Sequence, residues 1–458
     1  MLGDIISSAI KNYDELVGHG VLYRHVLDIL LEGLKAADPV EAVSRSVTVK
    51  DWDIVVADRV FRDFDRVHVV GFGKASVGMA RGLHRVLGDA IYGGVVISPF
   101  PSGDIGPVKV VVGDHPIPGD RTLEASRRLV EYVKETVEPS DLLFVLISGG
   151  GSALFEVPVD DISLGDIGWV ARELMKAGAD IFELNTVRKH LSMVKGGGLL
   201  KLARAKHVVS LIISDVVGDR LDTIASGPTV PDETTFLDAK NILVKYGLWD
   251  RAPVNVRKWI EAGIRGEVPE TLKPGDPLAG KAYNVIVASN YISLKAMEDK
   301  ARSLGYNTLL LTPFLHGEAR ETAKTIGSIA WSILEHDKPV AKPAVVIAGG
   351  ETTVTVKGSG VGGRNQELCL SLAIDLKHLR GRNIVFACMG SDGVDGNSPA
   401  AGAIIDIETY WEAREKGLAP EEYLENNDSY TFFRKLGRTI ETGYTGTNVN
   451  DFIVGIIK

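Results

Sequence analysis

The sequence of 458 residues is poor in several features that mark other classes of protein. It has only two cysteines, Cys369 and Cys388, and both stand in apolar stretches, which favours buried thiols over a disulfide framework. No apolar run approaches the roughly 20 residues that a membrane span needs. The first residues, MLGDIISSAIKNYDE, lack the charged-then-apolar pattern of a signal peptide. We therefore expect a cytoplasmic protein without a membrane partner.

Basic clusters and glutamine are also scarce. The net charge is −9, and the sequence contains no basic stripe and no run that mixes aromatic with basic residues. Such patterns are typical of proteins that bind a nucleic-acid backbone, so we predict no nucleic-acid partner. An acidic protein must bind an anionic substrate through local positive groups. The one glutamine, Gln366, stands out because the chain avoids this residue everywhere else.

Glycine, in contrast, is abundant and clustered. The chain has 50 glycines, with clusters at residues 149–151, 196–198 and 358–363. Clustered glycines predict tight turns whose backbone N–H groups meet a ligand. The apolar share of 45% and the charged share of 24% are typical of a globular enzyme.

Short apolar runs rich in valine and isoleucine alternate with amphipathic stretches along most of the chain. Such runs are typical of buried parallel strands, and the alternation predicts an α/β fold. We predict a Rossmann-like N-terminal domain, residues 1–280, with a doubly wound, mostly parallel sheet, and a second, smaller α/β domain, residues 281–458, across a cleft. The predicted strands are residues 67–70, 94–98, 108–112, 142–147, 208–214, 283–288, 308–311, 344–348, 353–356, 384–389 and 452–457.

A glycine-containing turn with Gly73, Lys74 and Ser76 follows the first predicted strand and leads into a helix. N–H groups at a helix start bind phosphate or carboxylate, and a lysine adds a mobile positive charge. A dinucleotide site would need an acid after the next strand, but that strand ends at Ser98. The turn therefore fits a phosphoryl group better, with a solvent-facing lysine as the alternative. His115, in the loop HPIPG, is either a ligand contact or structural.

A second turn consists of Ser148, Gly149, Gly150, Gly151 and Ser152. Three glycines between serines predict a nest of N–H donors with two hydroxyl groups. The turn is neither a Walker A loop, GxxxxGK, nor a nucleophile elbow, GxSxG. A serine nucleophile would also need a histidine base, and none is indicated nearby. We predict a ligand cradle.

A helix is predicted over residues 184–195, with Asn185, Lys189 and Ser192 on its polar face. This face is either solvated or directed at the ligand. Asp215 directly follows a buried strand, where a carboxylate can hold Mg²⁺ or accept a substrate proton.

The second predicted domain supplies its own polar turns. Arg364 and Asn365 begin a helix after a glycine cluster, where a guanidinium can bind a phosphoryl group. Asp392 and Asp395 lie in a turn that is too short for an EF-hand. Residues 448–451, just before the final strand, are expected to return to the same site.

The ordered set of motifs is more specific than any one of them. The chain resembles the glycerate 2-kinase family, whose C-terminal part is known as the MOFRL domain, through motifs distributed from about residue 70 to residue 451. These are GFGKAS, HPIPG, SGGGSAL, LNTVRKHLSMVKGGGL, SDVVGD…IASGPT, GGETTVT…GGRNQE and GSDGVDG…AAGAIID. The resemblance implies transfer of the γ-phosphoryl group of ATP to the 2-hydroxyl of D-glycerate, with a divalent metal such as Mg²⁺. It also implies that Lys74 and Arg364 are active-site groups.

Three residues are predicted to be catalytic: Lys74, Arg364 and Asp215. Metal ligation is assigned to Asp215 and Asp392. Substrate or phosphate binding is assigned to Gly73, Ser76, Ser148, Gly149, Gly150, Gly151, Ser152, Asn185, Lys189, Asn365 and Asp392. The alternatives are a kinase for another small hydroxy acid, a dinucleotide-dependent dehydrogenase and a non-catalytic metabolite sensor. The sequence leaves open whether the protein forms a homo-oligomer.

Overall fold

The computed structural model describes residues 9–51 and 53–458, which form two compact units. The first unit is residues 39–287, and the second is residues 288–458 together with the chain up to residue 38. Helices α1 (Tyr13–Val17) and α2 (Val21–Ala37) thus group with the C-terminal part of the chain. The sequence-based division into 1–280 and 281–458 placed them with the N-terminal domain. The buried face of α2 instead packs on the helix Asn290–Ser303 and the strand Asp451–Ile457.

The first unit is built on a parallel sheet. Its strand order is β6-β5-β4-β7-β8-β9, and the pairings from β6 through β8 are all parallel. Strands β4 and β7 are buried along their whole length, as expected for strands covered on both faces. The sheet strands are β4 (Val67–Phe72), β5 (Ile91–Ser98), β6 (Val108–Val112), β7 (Leu142–Ile147), β8 (His207–Ile213) and β9 (Ala282–Ala288).

Connections from the centre of this sheet run in opposite directions, because β5 and β6 follow β4 on one side while β7 and β8 lie on the other. Ligands of open α/β sheets bind at such a reversal, beyond the carboxyl ends of the strands. The turns after β4 and β7 are therefore the expected place for a site. An antiparallel three-stranded sheet, which the sequence analysis did not predict, precedes β4 and consists of β1 (Val47–Lys50), β2 (Asp53–Val56) and β3 (Arg59–Phe61).

Eight further helices begin within the first unit, after α3 (Pro39–Ser46). Three of them, Leu164–Lys176, Ile181–Lys189 and Phe236–Lys245, start with capping boxes, in which the capping side chain accepts from the backbone N–H three residues on and the side chain of that residue accepts from the N–H of the capping residue. The helices are α4 (Ser76–Leu87), α5 (Asp120–Glu135), α6 (Gly151–Leu154), α7 (Leu164–Lys176), α8 (Ile181–Lys189), α9 (Gly198–Leu202), α10 (Phe236–Lys245) and α11 (Val254–Ile264).

The second unit contains a mixed sheet with the order β10-β11-β15-β12-β13-β14. β10 and β11 are parallel, whereas the C-terminal strand β15 is antiparallel to both of its neighbours. The strands are β10 (Asn307–Leu315), β11 (Ala344–Gly350), β12 (Ile384–Gly390), β13 (Gly402–Asp406), β14 (Thr439–Ile440) and β15 (Asp451–Ile457). The helices are α12 (Asn290–Ser303), α13 (Ala319–His336), α14 (Arg364–Asp375), α15 (Thr409–Glu415), α16 (Pro420–Glu425) and α17 (Ser429–Leu436).

These two units confirm the α/β fold class that the alternating pattern predicted. One predicted strand, residues 353–356, is wrong: this segment is a loop with a single isolated bridge between Thr353 and Glu318. Strands β13 and β14 were not predicted. Among the described residues, no helix is both long and apolar enough to cross a membrane.

Candidate active site

The turns after β4 and β7 are fastened to each other by backbone contacts. Lys74 N donates to the carbonyl of Gly149 over 2.9 Å, and Ala75 N donates to Ser148 Oγ over 3.0 Å. Gly73 has φ +124°, and a Cβ at this position would collide with Ser148. Only glycine allows this approach without strain. The two predicted ligand turns therefore form one continuous surface at the centre of the sheet.

Two of the predicted binding serines have structural hydrogen bonds. Ser148 is buried and its hydroxyl accepts the bond from Ala75. Ser76 is also buried, and its hydroxyl donates to the carbonyls of Gly73 (2.8 Å) and Ile97 (2.9 Å). These side chains hold the turns in place. Their predicted contacts with a ligand stay a prediction.

Three ionisable side chains surround the triglycine turn. A Cβ at Gly150, whose φ is +79°, would lie 2.9 Å from Nε2 of His115 and 3.4 Å from Cγ of Lys74. A Cβ at Gly149 would collide with the carboxylate of Asp215. Lys74 is exposed, whereas His115 and Asp215 are half-buried. The structure thus brings together one lysine, one histidine and one aspartate that are far apart in sequence.

The environment of His115 keeps its ring neutral at neutral pH. Burial is the main cause that lowers the pKa of His115, and the ammonium group of Lys74 lowers it further. A neutral imidazole can donate or accept a hydrogen bond beside a bound anion without adding a fixed charge.

The polar face predicted for the helix over residues 184–195 differs from expectation in two ways. Helix α8 ends at Lys189, and Asn185, Lys189 and Ser192 are all buried. Lys189 Nζ pairs with the buried Asp232 at 3.3 Å and also lies 3.9 Å from Asp222. Lys189 can be buried because a charged partner from a distant segment, Asp232, compensates its charge.

Asn185 is tied to the triglycine turn through two hydroxyl groups. Its Oδ1 accepts from Ser226 Oγ at 3.0 Å, and the hydroxyls of Ser226 and Ser152 are hydrogen-bonded at 2.8 Å. Asn185 and Ser152 thus lie in one hydrogen-bonded chain. The sequence analysis assigned a binding role to both of them but assigned none to Ser226, which it quoted only within the motif IASGPT, and did not name Asp232. A pattern within one segment carries no information about the partner segment.

In the second unit, Arg364 occupies the first position of α14 and is held by two acids. Its Nε and Nη2 donate to Asp451 at 2.6 and 3.1 Å, and its Nη1 donates to Glu351 at 2.7 Å. About a third of the Arg364 side chain remains exposed, at 32%. Burial raises the pKa of Asp451, and the Arg364 guanidinium opposes this shift.

A buried carboxylate, Asp395, accepts four N–H groups at the start of the same helix. The donors are the backbone and side-chain nitrogens of Asn365 (3.0 and 3.2 Å) and of Gln366 (2.8 and 3.0 Å). Asn365 Nδ2 also donates to Asp451 at 2.9 Å. The chain's one glutamine is therefore used to hold a buried acid.

The two carboxylates that were predicted to bind a metal lie in different units. Half-buried Asp215 is in the first, and Asp392, whose Oδ1 accepts from Val394 N at 3.1 Å, is in the second. Among residues 9–51 and 53–458, no group of three or more His, Cys, Asp or Glu side chains is arranged to hold a metal ion. Mg²⁺ in phosphoryl-transfer sites is commonly held by one or two carboxylates plus substrate phosphates. A single carboxylate beside the triglycine turn, such as Asp215, would meet that requirement, and metal ligation by Asp215 and Asp392 stays a prediction.

Comparison with known proteins connects these features to a family. Residues 25–261 match the family model of a domain of unknown function, DUF4147, and residues 344–451 match that of the MOFRL family. The chain is 43% identical to the glycerate 2-kinase of Pyrococcus horikoshii, covering 94% of this chain and 96% of the relative. This chain belongs to the glycerate 2-kinase family. The identification from ordered motifs is confirmed.

Other members of the family show how far the relationship extends. The D-glycerate 2-kinase of Thermotoga maritima is 41% identical, with coverage of 91% of this chain and 97% of that protein. The crystal structure of a T. maritima glycerate kinase matches with a TM-score of 0.85 at 38% identity, over 95% of this chain and 99% of that one. A relative from Agrobacterium vitis, 40% identical over 84% of this chain and 86% of its own length, carries the name putative hydroxypyruvate reductase.

Proposed function

We propose that this glycerate 2-kinase family member transfers the γ-phosphoryl group of ATP to the 2-hydroxyl of D-glycerate, giving 2-phosphoglycerate and ADP. The observation that carries the proposal is the grouping of Lys74, His115 and Asp215 around the triglycine turn. The turn lies at the point of the sheet where α/β enzymes bind ligands. Family membership supplies the reaction class, and a cytoplasmic location would suit both substrates.

The chemistry needed from the protein is mainly positioning and neutralisation of charge. In phosphoryl transfer, negative charge is spread over the oxygens of the transferred group. Lys74 is an exposed cation beside the turn, and we propose that it stabilises this charge together with the N–H groups of Gly149 and Gly150, since that of Gly151 donates to the Ser148 carbonyl. Arg364 is proposed to contribute the exposed part of its guanidinium group, which shares its donors with Asp451 and Glu351.

Asp215 is proposed to orient the 2-hydroxyl of D-glycerate or to hold Mg²⁺. A bound Mg²⁺ would supply further neutralisation of phosphate charge. Asp215→Asn keeps the shape but removes the negative charge, so turnover is expected to fall on the order of 10²-fold, as for loss of a catalytic acid–base group. Near-normal turnover in this variant would remove Asp215 from the mechanism.

The test of the proposed function is a pair of coupled assays. The protein is incubated with ATP, Mg²⁺ and D-glycerate, and the product is detected with enolase in the absence of phosphoglycerate mutase. Signal establishes both kinase activity and phosphorylation at the 2-position. Signal only after addition of the mutase would mean that the 3-hydroxyl is phosphorylated. Absence of both signals, with ADP formed from another hydroxy acid, would keep the kinase and exclude glycerate.

A second candidate function, a dinucleotide-dependent reductase, is favoured by the name of the A. vitis relative. The local sequence argues against it, because β5 ends at Ser98 and supplies no acid for a ribose. Oxidation of NADH or NADPH by hydroxypyruvate in the presence of the pure protein would establish this alternative. We expect no such oxidation.

A further inference from the structure

Three charged side chains are buried directly behind the triglycine turn. Glu156 is fully buried, Lys195 is 1% exposed and Arg188 is 12% exposed. Glu156 Oε2 lies 3.3 Å from Lys195 Nζ and 3.4 Å from Arg188 Nη2. The group therefore holds two positive charges and one negative charge out of water. None of the three is assigned a part in the reaction above.

Both cations of this group converge on one carbonyl. Arg188 Nη2 donates to the carbonyl of Ser152 at 2.8 Å, and Lys195 Nζ donates to the same oxygen at 3.0 Å. Lys195 also donates to the carbonyl of Phe155 at 2.9 Å. Ser152 directly follows Gly151, so the last residue of the triglycine turn is joined to a carbonyl that two buried cations fix.

The side chain of Ser152 is held as well as its carbonyl. Its hydroxyl is hydrogen-bonded to Ser226, which in turn donates to Asn185. The backbone and the side chain of one residue are thus fixed from two directions. Such redundancy is expected where the position of a backbone, rather than the energy of a single contact, is what matters.

Stability alone does not account for these buried charges. Desolvation of a buried ion pair can exceed its Coulomb energy, and apolar replacements are often as stable. Within the described residues, Glu156 Oε1 and Arg188 Nε have no hydrogen-bond partner, so the group is not fully satisfied. What its geometry does provide is a fixed Ser152.

We propose that Lys195, together with Arg188 and Glu156, is a positioning group that holds the triglycine turn in its ligand-binding conformation. The proposal rests on the proposed function of this turn as an anion cradle. Lys195 acts through the Ser152 and Phe155 carbonyls and not on the substrate itself. Loss of its ammonium group should therefore loosen residues 149–152 and misplace the bound anion.

This arrangement also sets a pH dependence. Burial is the main cause that lowers the pKa of Lys195, to about 8; Glu156 opposes the shift and Arg188 adds to it. Among the described residues, these are the two charged groups that act on Lys195: Glu156 lies in the segment after α6 and Arg188 lies on α8. As pH rises past about 8, the ammonium loses its charge and the attraction to Glu156 weakens. Arginine at this position would keep its charge throughout.

The test compares Lys195→Met with Lys195→Arg, and uses Lys176→Met, an exposed lysine on α7, as the matched control. Amide hydrogen exchange is measured by mass spectrometry on a peptide that covers residues 148–155. We expect exchange at least about tenfold faster in Lys195→Met, and unchanged exchange in the control. The protection of this peptide against hydrogen exchange is then compared at pH 7 and pH 9.5, after correction for the pH dependence of exchange in an unstructured peptide. We expect this protection to fall with rising pH in the wild type and to stay unchanged in Lys195→Arg.

The catalytic readout is kcat/KM for D-glycerate, which should fall on the order of 10²-fold in Lys195→Met, as for a misplaced binding group. Lys195→Arg should restore most of this loss. If Lys195→Met does not fold, Ser226→Ala removes the other fixation of Ser152 and should show faster exchange in the same peptide. Unchanged exchange in a folded Lys195→Met protein would overturn the proposal. Because exchange needs no substrate, this result stands even if the wild type does not phosphorylate glycerate.

Discussion

Lys74 and Arg364 are the two predicted cations of the reaction, and the structure gives them different surroundings. Lys74 is exposed beside a neutral His115. Arg364 is already held by Glu351 and Asp451. Lys74 is therefore available to an incoming anion at once, whereas Arg364 must share its donors with the acids that hold it.

Replacement of Lys74 tests the first of these roles. Lys74→Ala removes a charge beside the triglycine turn, and we expect kcat to fall on the order of 10²-fold or more, as for loss of one preorganised donor. Lys176→Ala on the surface of α7 serves as the control and should retain wild-type kinetics. Steady-state rates within about twofold of wild type for Lys74→Ala would show that Lys74 is a solvated surface lysine.

The pairing of Arg364 with Glu351 predicts a substitution that improves substrate binding, in contrast to the loss expected for Lys74→Ala. Glu351 is 47% exposed, and Glu351→Gln removes a negative charge next to the guanidinium. We expect KM for ATP or D-glycerate to fall about two- to fivefold, in line with the small energies of exposed ion pairs. The gain should shrink as salt is added. Glu408→Gln, in an exposed pair with Arg380, is the control. A higher KM would mean that Glu351 positions Arg364 instead of competing for it.

At the scale of the element, the strands of the six-stranded sheet in the first unit were predictable because valine- and isoleucine-rich runs are typical of buried parallel strands, whereas β1, β2 and β3 were not predicted. The turns after β4 and β7 were predictable because clustered glycines are typical of tight turns, where the backbone must adopt conformations that other residues rarely allow. The end of α8 at Lys189 was not predictable from the sequence. Helical periodicity left the face that carries Lys189 either solvated or directed at the ligand, and Lys189 was predicted to bind substrate or phosphate. In the structure Lys189 is buried and pairs with Asp232. The partner of a buried lysine cannot be read from its own segment.

The predicted strand at residues 353–356 failed for a related reason. Its sequence, Thr-Val-Thr-Val, has high β propensity, yet strand propensity depends on an available neighbouring strand. In the second sheet β11 already has β10 on one side and β15 on the other. The sequence analysis likewise named Asp451 without its bond to Arg364, because that bond depends on the placement of β15.

A capping box offers a test of local stability in the first unit. Thr235 accepts from Asp238 N and is paired reciprocally with the Asp238 side chain at the start of α10. Thr235→Ala removes this cap and should lower the free energy of unfolding by about 1 kcal/mol. Urea denaturation of the full chain measures the change, with Thr235→Ser as a control that keeps the hydroxyl. A loss below a few tenths of a kcal/mol would show that tertiary contacts alone hold the helix end.

At the scale of the whole molecule, the two units are not consecutive in sequence. Ten residues of α2 are buried, and a Cβ at Gly33 would collide with Met297 of α12. Helix α2 is therefore an integral part of the second unit. The composition could not show this, because an amphipathic helix carries no mark of the sheet that it covers.

Fragments of the chain test this division. Residues 39–287 are expected to fold alone, since they contain a complete sheet and its helices. Residues 288–458 alone should be strongly destabilised, because the surface normally covered by α2 would be exposed to water. Thermal unfolding by circular dichroism compares this fragment with one in which residues 1–38 are joined to it by a flexible linker. Equal stability of the two fragments would contradict the assignment of α2.

The place of β15 in the chain also affects the order in which the two units can fold. Domains generally fold in the order in which the ribosome delivers them. The first unit is complete once residue 287 has emerged, but β15, an inner strand of the second sheet, is translated after every other strand of that sheet. Helix α2 precedes the whole of the first unit in the chain, so its apolar face is fully covered only once β15 has been translated. Asp451 begins β15, so Arg364 acquires its buried partner only after 87 further residues have been translated, and a chain terminated between the two would carry the arginine without it.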